Sequence, residues 1–241
     1  MEIPAREDGR SMSSIRPVSL ELNYTEYAEG SVLISLGKTR VLCNASILNS
    51  VPQWMRSQGK TGGWVTAEYA MLPRATHQRT PRETLRPKAR SQEIRRIIGR
   101  SLRAAIDLEQ LGELTCIVDC DVIQADGGTR TAAITGGFIA LSLALMRQIE
   151  EGGVDNGVFK TNIAAISVGM LAGNPVVDLD YSEDSIADVD LNVVMNSEGK
   201  LIELQGSAEG KAYSREELTK LLNLAEGAIL ELIAIQKENL S

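Results

Sequence analysis

The sequence predicts an α+β fold in which helices pack on mostly antiparallel sheets, and three observations carry that prediction. Residues from Val18 to Ser46 are β-rich, and Ser19 to Tyr24 alternates polar and apolar as a strand does. From Ser91 onward apolar residues recur at helical spacing, on either side of one intervening strand. Beyond Gly152-Gly153 strand-like runs return, and the chain closes on a long amphipathic helix. Strands, helices, strands and a final helix, in that order, describe sheet covered by helices. No internal repeat and no linker interrupts the order, so residues 1–241 are expected to form one domain.

Taken in sequence, Ser19 to Tyr24 alternates, and Ser31 to Leu36 and Thr39 to Ser46 flank Gly37-Lys38 as a hairpin. After Pro52 the chain reads as loop, with Gly59, Gly62 and Gly63, until a short strand at Trp64 to Tyr69. Between Arg74 and Arg90 no apolar period exists, which predicts an exposed loop. Ser91 is placed to N-cap a helix running to about Gln110, with Ile94, Ile97, Ile98, Leu102, Ala105 and Ile106 on one face. On that helix Arg95, Arg96, Arg100 and Arg103 lie mostly off the apolar stripe, a pattern that fits a solvated face, a subunit contact or RNA contact. A strand from about Leu114 to Ile123 leads through Gly127-Gly128 to an apolar helix from about Thr131 to Ile149, whose internal Gly136-Gly137 predicts close packing against another element. Ile163 to Met170, Pro175 to Tyr181, Asp188 to Asn196 and Lys200 to Gly206 read as strands. Ser214 and Glu217 then form a capping box for a helix that buries Leu218, Leu221, Leu222, Ala225, Ile229, Leu232 and Ile233.

Composition narrows the chemistry. A content of 43% hydrophobic and 24% charged residues excludes disorder and collagen-like structure. No run approaches the roughly 18 apolar residues a membrane span needs, and Glu2, Arg6, Glu7, Asp8 and Arg10 replace the apolar segment of a signal peptide. The expectation is a cytoplasmic protein with no membrane partner. Cys43, Cys116 and Cys120 form an odd set without metal-ligand spacing, so reduced core thiols are expected. The lone His77 excludes the histidine-rich metal sites, argues against a Ser-His-Asp triad and reads as a surface residue in an Arg-rich loop. Net charge is −7, yet from Arg74 to Arg103 ten basic residues, nine of them Arg, face only Glu83 and Glu93. That segment carries +8 and leaves −15 on the rest of the chain. Guanidinium groups at this density suit planar recognition of oxyanions.

Two constellations can carry chemistry. In the stretch Asp119 to Thr131 a strand runs into Asp126-Gly127-Gly128 and a helix start. Glycines let the backbone approach a ligand, the helix offers unpaired N–H groups, and Arg130 with the hydroxyls of Thr129 and Thr131 would complete a phosphate cradle. By spacing alone the same string also fits a tight turn with a solvated Arg. The second constellation is Asp178, Asp180, Glu183, Asp184, Asp188 and Asp190, with Asp188 and Asp190 on one strand face. It suits a hard divalent cation, and equally a polar turn before a strand. An oxyanion cradle, an Arg at another helix entrance and a carboxylate pair together fit phosphoryl transfer, which needs no histidine base.

The chain resembles ribonuclease PH, the phosphorolytic 3′-to-5′ exoribonuclease family that trims tRNA precursors. The resemblance rests on Asp8-Gly9-Arg10, Ile15-Arg16-Pro17, Glu29 to Ile34, Trp64 to Thr76 (WVTAEYAMLPRAT), Glu93 to Ala104 (EIRRIIGRSLRA), Asp119 to Ala132, Ala165 to Gly169, Asp188 to Met195 (DVDLNVVM) and Glu203 to Gly210. It implies a β-α-β-α sandwich. It places a phosphate site on Arg90, Gly128, Thr129 and Arg130, catalytic and metal-holding aspartates on Asp184 and Asp190, and RNA-binding arginines on Arg74, Arg79 and Arg82. It further implies Mg²⁺, inorganic phosphate as co-substrate, RNA 3′ ends and tRNA precursors as substrates, and a homohexamer built as a trimer of dimers. The segment between Arg82 and Ser91 is shorter than the family pattern, which leaves Arg86 and Lys88 unaligned. A non-catalytic RNA-binding ring subunit of an exosome-like complex is the alternative, against which the joint presence of Arg90, Gly128 to Arg130, Asp184 and Asp190 argues.

Overall fold

A computed structural model describes residues 6–83, 88–209 and 212–240; Arg86 and the last residue of the Glu203 to Gly210 string lie outside the described residues. The chain runs β1 (Val18–Leu22), β2 (Gly30–Leu36), β3 (Thr39–Leu48), α1 (Gln53–Ser57), β4 (Trp64–Met71), α2 (Ala89–Ala105), β5 (Thr115–Gln124), α3 (Thr129–Glu150), β6 (Ile163–Leu171), β7 (Asn174–Val177), α4 (Tyr181–Asp184), β8 (Val189–Asn196), β9 (Leu201–Ala208) and α5 (Arg215–Leu240).

Two sheets form. The first has the order β1-β2-β3-β5-β4, with antiparallel pairs except for β4 and β5. That parallel pair follows from its connection, since β4, α2 and β5 make a β-α-β unit whose helix carries the chain back across the sheet. The second sheet, β7-β6-β8-β9, is antiparallel throughout.

The layers follow from which side chains each face buries. One core holds Ile34, Cys43, Val118, Ile98, Leu102, Phe138 and Leu141, joining the first sheet to α2 and α3, and it takes in Ile163 and Ala165 of β6. The alternate residues of β6, Ala164, Ile166 and Val168, join a second core with Leu221, Ala225, Ile229 and Leu232 of α5. With period-2 alternation, β6 is therefore buried on both faces, and the stack runs sheet, α2 and α3, sheet, α5. α3 touches β2, β3 and β5 on one side and β6 on the other, which explains why it is apolar almost all round. It is long and apolar enough to cross a bilayer, but 72% of its most apolar stretch is buried within the protein. The glycine pair in α3 is required by contact: a Cβ on Gly136 would lie 2.6 Å from Ile34 Cγ2 and 3.0 Å from Cys43 Sγ. Cys43, Cys116 and Cys120 are buried free thiols, as the cysteine count predicts.

Three elements differ from the sequence expectation. α2 starts two residues before Ser91, at a Lys88 N-cap that makes no side-chain bond. The capping carboxylate comes instead from the preceding loop: Glu83 Oε2 accepts from the Lys88 N–H at 2.9 Å and its Oε1 from the Ser91 hydroxyl at 3.0 Å. The same helix stops at Ala105, well before Gln110, because Ile106 turns extended and bridges to Phe159. β7 ends at Val177, short of Tyr181, because Asp178 adopts a left-handed φ of 55° and α4 follows. The loop after Pro52 holds the short helix α1, which buries Met55. The Ser214–Glu217 capping box forms, with Glu217 N–H donating to Ser214 Oγ and Ser214 N–H to Glu217 Oε2.

Candidate active site

The first wall of the site is the turn into α3. Gly127 and Gly128 have φ of 72° and 63°, and neither tolerates a side chain. A Cβ on Gly127 would sit 2.4 Å from the Leu179 carbonyl oxygen, and one on Gly128 would sit 3.1 Å from Arg16 Nη2. Gly128 N-caps α3 without any side-chain bond, so the first-turn N–H groups and the positive end of the helix dipole are left for an anion. The hydroxyls divide here. Thr131 is buried and donates to the Gly128 carbonyl at 2.8 Å, so it stabilises the turn and is not part of the cradle. Thr129 Oγ1 shares a 2.8 Å hydrogen bond with Tyr69 Oη from β4. Burial holds the Tyr69 phenol above its ordinary pKa although Thr129, Arg90 and Arg130 oppose it.

Arg130, in the first turn of α3, donates to Gln205 Oε1 on β9 at 2.8 Å, and Gln205 donates in turn to Glu93 Oε1 on α2 at 2.9 Å. The guanidinium is thereby aimed across a cleft of about 440 Å³ that Arg130, Asp190, Asn192 and Gln205 line. Arg90, exposed in the first turn of α2, adds a second positive charge that acts on both Asp184 and Asp190.

The opposite wall carries the carboxylates. Burial, reinforced by the charge of Asp184, pushes Asp190 up to about 6, against the pull of Arg130 and Arg90. Its Oδ1 is buried and has no hydrogen-bond partner among the described residues. An unsatisfied carboxylate oxygen of this kind is costly unless something binds it. Asp184, at the end of α4, is also raised, by partial burial and by Glu209, while Arg90 and Arg130 pull it down. Asp190 lines the cleft and Asp184 lies near enough to act on its charge; a pair of hard oxygen donors of this kind suits Mg²⁺, which keeps water and phosphate oxygens in its shell. No group of three or more His, Cys, Asp or Glu side chains among the described residues is arranged to hold a metal. Among the described residues the carboxylates here thus form a pair and no complete cage.

Of the two readings the acidic cluster allowed, a cation site and a polar turn, most of its remaining members follow the second. Asp178 is fully buried and binds Arg16 bidentately, Oδ1 to Nη2 at 2.7 Å and Oδ2 to Nε at 2.9 Å, while also accepting the Arg16 backbone N–H at 2.7 Å. Glu183 takes Arg6 the same way, with both contacts at 2.7 Å. Asp180 is the N-cap of α4, in a capping box with Glu183. Asp188 is exposed at the foot of β8.

Arg16 is the residue that sequence reasoning missed. Burial alone would lower its pKa, yet Asp178 outweighs that and holds the guanidinium charged. Its Nη1 donates to the Asp126 carbonyl, and Thr39 clamps the same turn by accepting from Asp126 N–H and donating to the Gly127 carbonyl. One buried ion pair therefore ties the glycine turn to the chain that leads through Asp180 into Asp184. The signal available in the sequence was three arginines, Arg6, Arg10 and Arg16, ahead of the first strand.

The arginines assigned to RNA do not enter this cleft. Arg74 lines a neighbouring one with Lys38, His77 and Asp126, Arg82 pulls down on Asp121 of β5, and Arg79 is exposed. On α2, Arg95 pairs with Glu68, Arg100 pairs with Glu203, and Arg103 stacks 4.4 Å from the Trp64 ring centroid, so much of that face holds the helix to its neighbours.

Comparison with known proteins bears on the family and the fold. Residues 14–147 match the family model of the 3′ exoribonuclease family, domain 1, and residues 161–228 match domain 2 of the same family. The fold is similar to that of rice (Oryza sativa) Rrp46, with a TM-score of 0.77, 20% identity and coverage of 98% of this chain and all of that one. A chain of an archaeal exosome core aligns with a TM-score of 0.75 at 20% identity, covering 96% of this chain and 91% of that one. A chain of the Archaeoglobus fulgidus exosome with RNA bound to the active site aligns with a TM-score of 0.77 at 22% identity, over 95% and 91% of the two chains.

Proposed function

Because this chain belongs to the 3′ exoribonuclease family and is ribonuclease PH-like, with both domains of the family in order, we propose that it is a phosphorolytic 3′-to-5′ exoribonuclease acting on tRNA precursors. The observation that supports the proposal is a cleft lined by Arg130, at the uncapped start of α3, and by Asp190, with the charges of Arg90 and Asp184 acting on that carboxylate.

In this account inorganic phosphate rests on the first-turn N–H groups of α3, with Arg130 and Arg90 neutralising its charge. The Gln205–Glu93 bridge holds Arg130 in place, so the guanidinium keeps its direction as charge shifts. A phosphate oxygen attacks the phosphorus of the last phosphodiester, the bond from that phosphorus to the 3′ oxygen breaks, and the 3′ oxygen takes up a proton. The products are a nucleoside 5′-diphosphate and an RNA one nucleotide shorter. Asp184 and Asp190 are the residues that would hold Mg²⁺, which when bound neutralises charge on the reacting phosphoryl oxygens. One of the pair, when protonated, can instead supply the proton to the leaving oxygen. A phosphodiester is exchanged for a phosphoanhydride, so nucleoside diphosphates should drive 3′ extension. RNA reaches the cleft past Arg74, Arg79 and Arg82, in a homohexameric ring.

The similarity to exosome chains favours a second reading, a ring subunit that binds RNA without cutting it. Incubation with 3′-labelled, 3′-extended tRNA and Mg²⁺, with and without inorganic phosphate, separates the two. Nucleoside diphosphates released only with phosphate support phosphorolysis; monophosphates without phosphate mean hydrolysis, and retained intact RNA means the non-catalytic subunit.

A further inference from the structure

A second cleft, which reaches the glycine turn at Asp126, has a composition that folding does not require. It measures about 330 Å³ and is lined by Lys38, Arg74, His77, Gln124 and Asp126 among others. Lys38, Arg74 and His77 are exposed. At its rim the His77 ring meets Tyr181, with centroids 6.5 Å apart and planes tilted by 53°. Tyr181 is 58% exposed, so its ring buries little surface and contributes little to the core. Neither its hydroxyl nor the imidazole makes a hydrogen bond within the protein among the described residues.

The location gives these rings meaning. Tyr181 opens α4 and Asp184 closes it, and residues three apart in a helix share a face. The ring is therefore one helical turn from a carboxylate of the active site. His77 belongs to the loop that also carries Arg74 and Arg79. Two exposed ring faces, flanked by two cations and next to a phosphoryl-transfer cleft, match what an unpaired nucleotide offers: a flat base to stack and a phosphate to neutralise. The cleft volume is at the low end of the roughly 300–1,000 Å³ of small-molecule sites, which fits one nucleotide unit. Asp126 repels phosphate from the floor, which leaves the anion to the Lys38 and Arg74 side.

We propose that His77 and Tyr181, with Lys38 and Arg74, form a subsite for one unpaired nucleotide of the RNA strand upstream of the scissile bond, the rings stacking its base and the cations holding its phosphate. The assignment rests on the exoribonuclease reading for its strand direction. Stacking on aromatic faces tolerates any base, so the subsite would grip a single-stranded 3′ tail without selecting its sequence, and it would miss a base locked in a duplex.

The test uses the full-length protein without phosphate, in EDTA, and single-stranded RNA oligonucleotides carrying the fluorescent base aminopurine at successive positions from the 3′ end. One register should be quenched on binding. The quench should vanish in Tyr181→Ala, weaken in His77→Ala and survive in Tyr181→Phe, which keeps the ring. An abasic nucleotide at that register should weaken binding about tenfold in the wild type and have little effect in Tyr181→Ala. No quenched register, a quench that Tyr181→Ala retains, or an equal abasic penalty in both proteins would overturn the subsite, leaving the ring contact as a latch between loop and helix. Phosphate-dependent release of nucleoside diphosphate, measured on the same preparations, keeps the two ideas separate. Stacking without release sinks the catalytic reading alone, and release without a stacked register sinks the subsite alone.

Discussion

Replacing Asp178 by Asn removes one charge from a place where two guanidinium groups depend on it. Asp178 is 0% exposed, and it accepts from Arg16 Nη2, Nε and backbone N–H and from Arg10 Nη1 at 3.3 Å. The Arg16 side chain is 3% exposed, so it cannot recover hydration when its partner is neutralised. Breaking a buried pair from one side costs about 3–5 kcal/mol, because the surviving charge stays buried. Asn has nearly the same shape, retains one acceptor oxygen, and tolerates the left-handed φ of 55° found at this position, so the backbone contributes little to the loss. The expected loss is therefore at the lower bound, about 3 kcal/mol, or roughly 6–12 °C in Tm for a chain of this size. Urea denaturation monitored by far-UV circular dichroism reads it directly, as a lower midpoint at unchanged slope. Phosphate affinity should fall as well, since Arg16 also holds the Asp126 carbonyl at the foot of the glycine turn. A loss below about 1 kcal/mol would refute the argument that Asp178 is the counter-charge on which this network rests.

Asp190→Asn should stabilise the metal-free protein at pH 7 to 8 and leave it unchanged near pH 4. The folded pKa of about 6 lies above the unfolded value, so the wild type loses stability as pH rises through it, by at most about 3 kcal/mol. Differential scanning fluorimetry in EDTA at both pH values checks the sign, and added Mg²⁺ should stabilise the wild type more than the variant. Arg130→Ala should raise the phosphate concentration needed for half-maximal rate at least tenfold while RNA retention on filters stays nearly constant; Arg79→Ala should do the reverse and flatten the salt dependence of RNA binding. Equal effects of both changes on both properties would contradict this division. Gly136→Ala should cost about 1–3 kcal/mol in chemical denaturation, because its Cβ must displace Ile34 or Cys43 where α3 crosses the sheet; a neutral result would mean the layers can separate freely.

Strong periodicity made most elements legible. β2, β3, α3 and α5 were apparent from alternation, from a continuous apolar run and from a capping box whose donors and acceptors lie three residues apart. The start of α2 was not, because its capping carboxylate, Glu83, belongs to a loop with no pattern of its own, and a buried Ser91 three residues into the helix imitates a cap. The parallel pairing of β4 with β5 was hidden for a related reason: strand direction depends on the path of α2, which residue types do not encode. At the site, Gly127 and Gly128 were legible as a turn into a helix, although their spacing fitted a plain tight turn as well as an anion cradle. The acidic cluster was not. Asp178, Asp180, Glu183, Asp184 and Asp190 look alike in sequence, and only the approach of Arg16 and Arg6 from the far end of the chain turns two of them into buried ion pairs and sets them apart from Asp184 and Asp190.

The most direct test of phosphorolysis follows the phosphate itself. Purified protein, Mg²⁺, a 3′-extended tRNA and radiolabelled orthophosphate are incubated together and the nucleotides separated by chromatography. The account predicts label in the terminal phosphate of nucleoside diphosphates, appearing in step with the shortening of the RNA and lost in Asp190→Asn. RNA that shortens while all label remains as orthophosphate would contradict it.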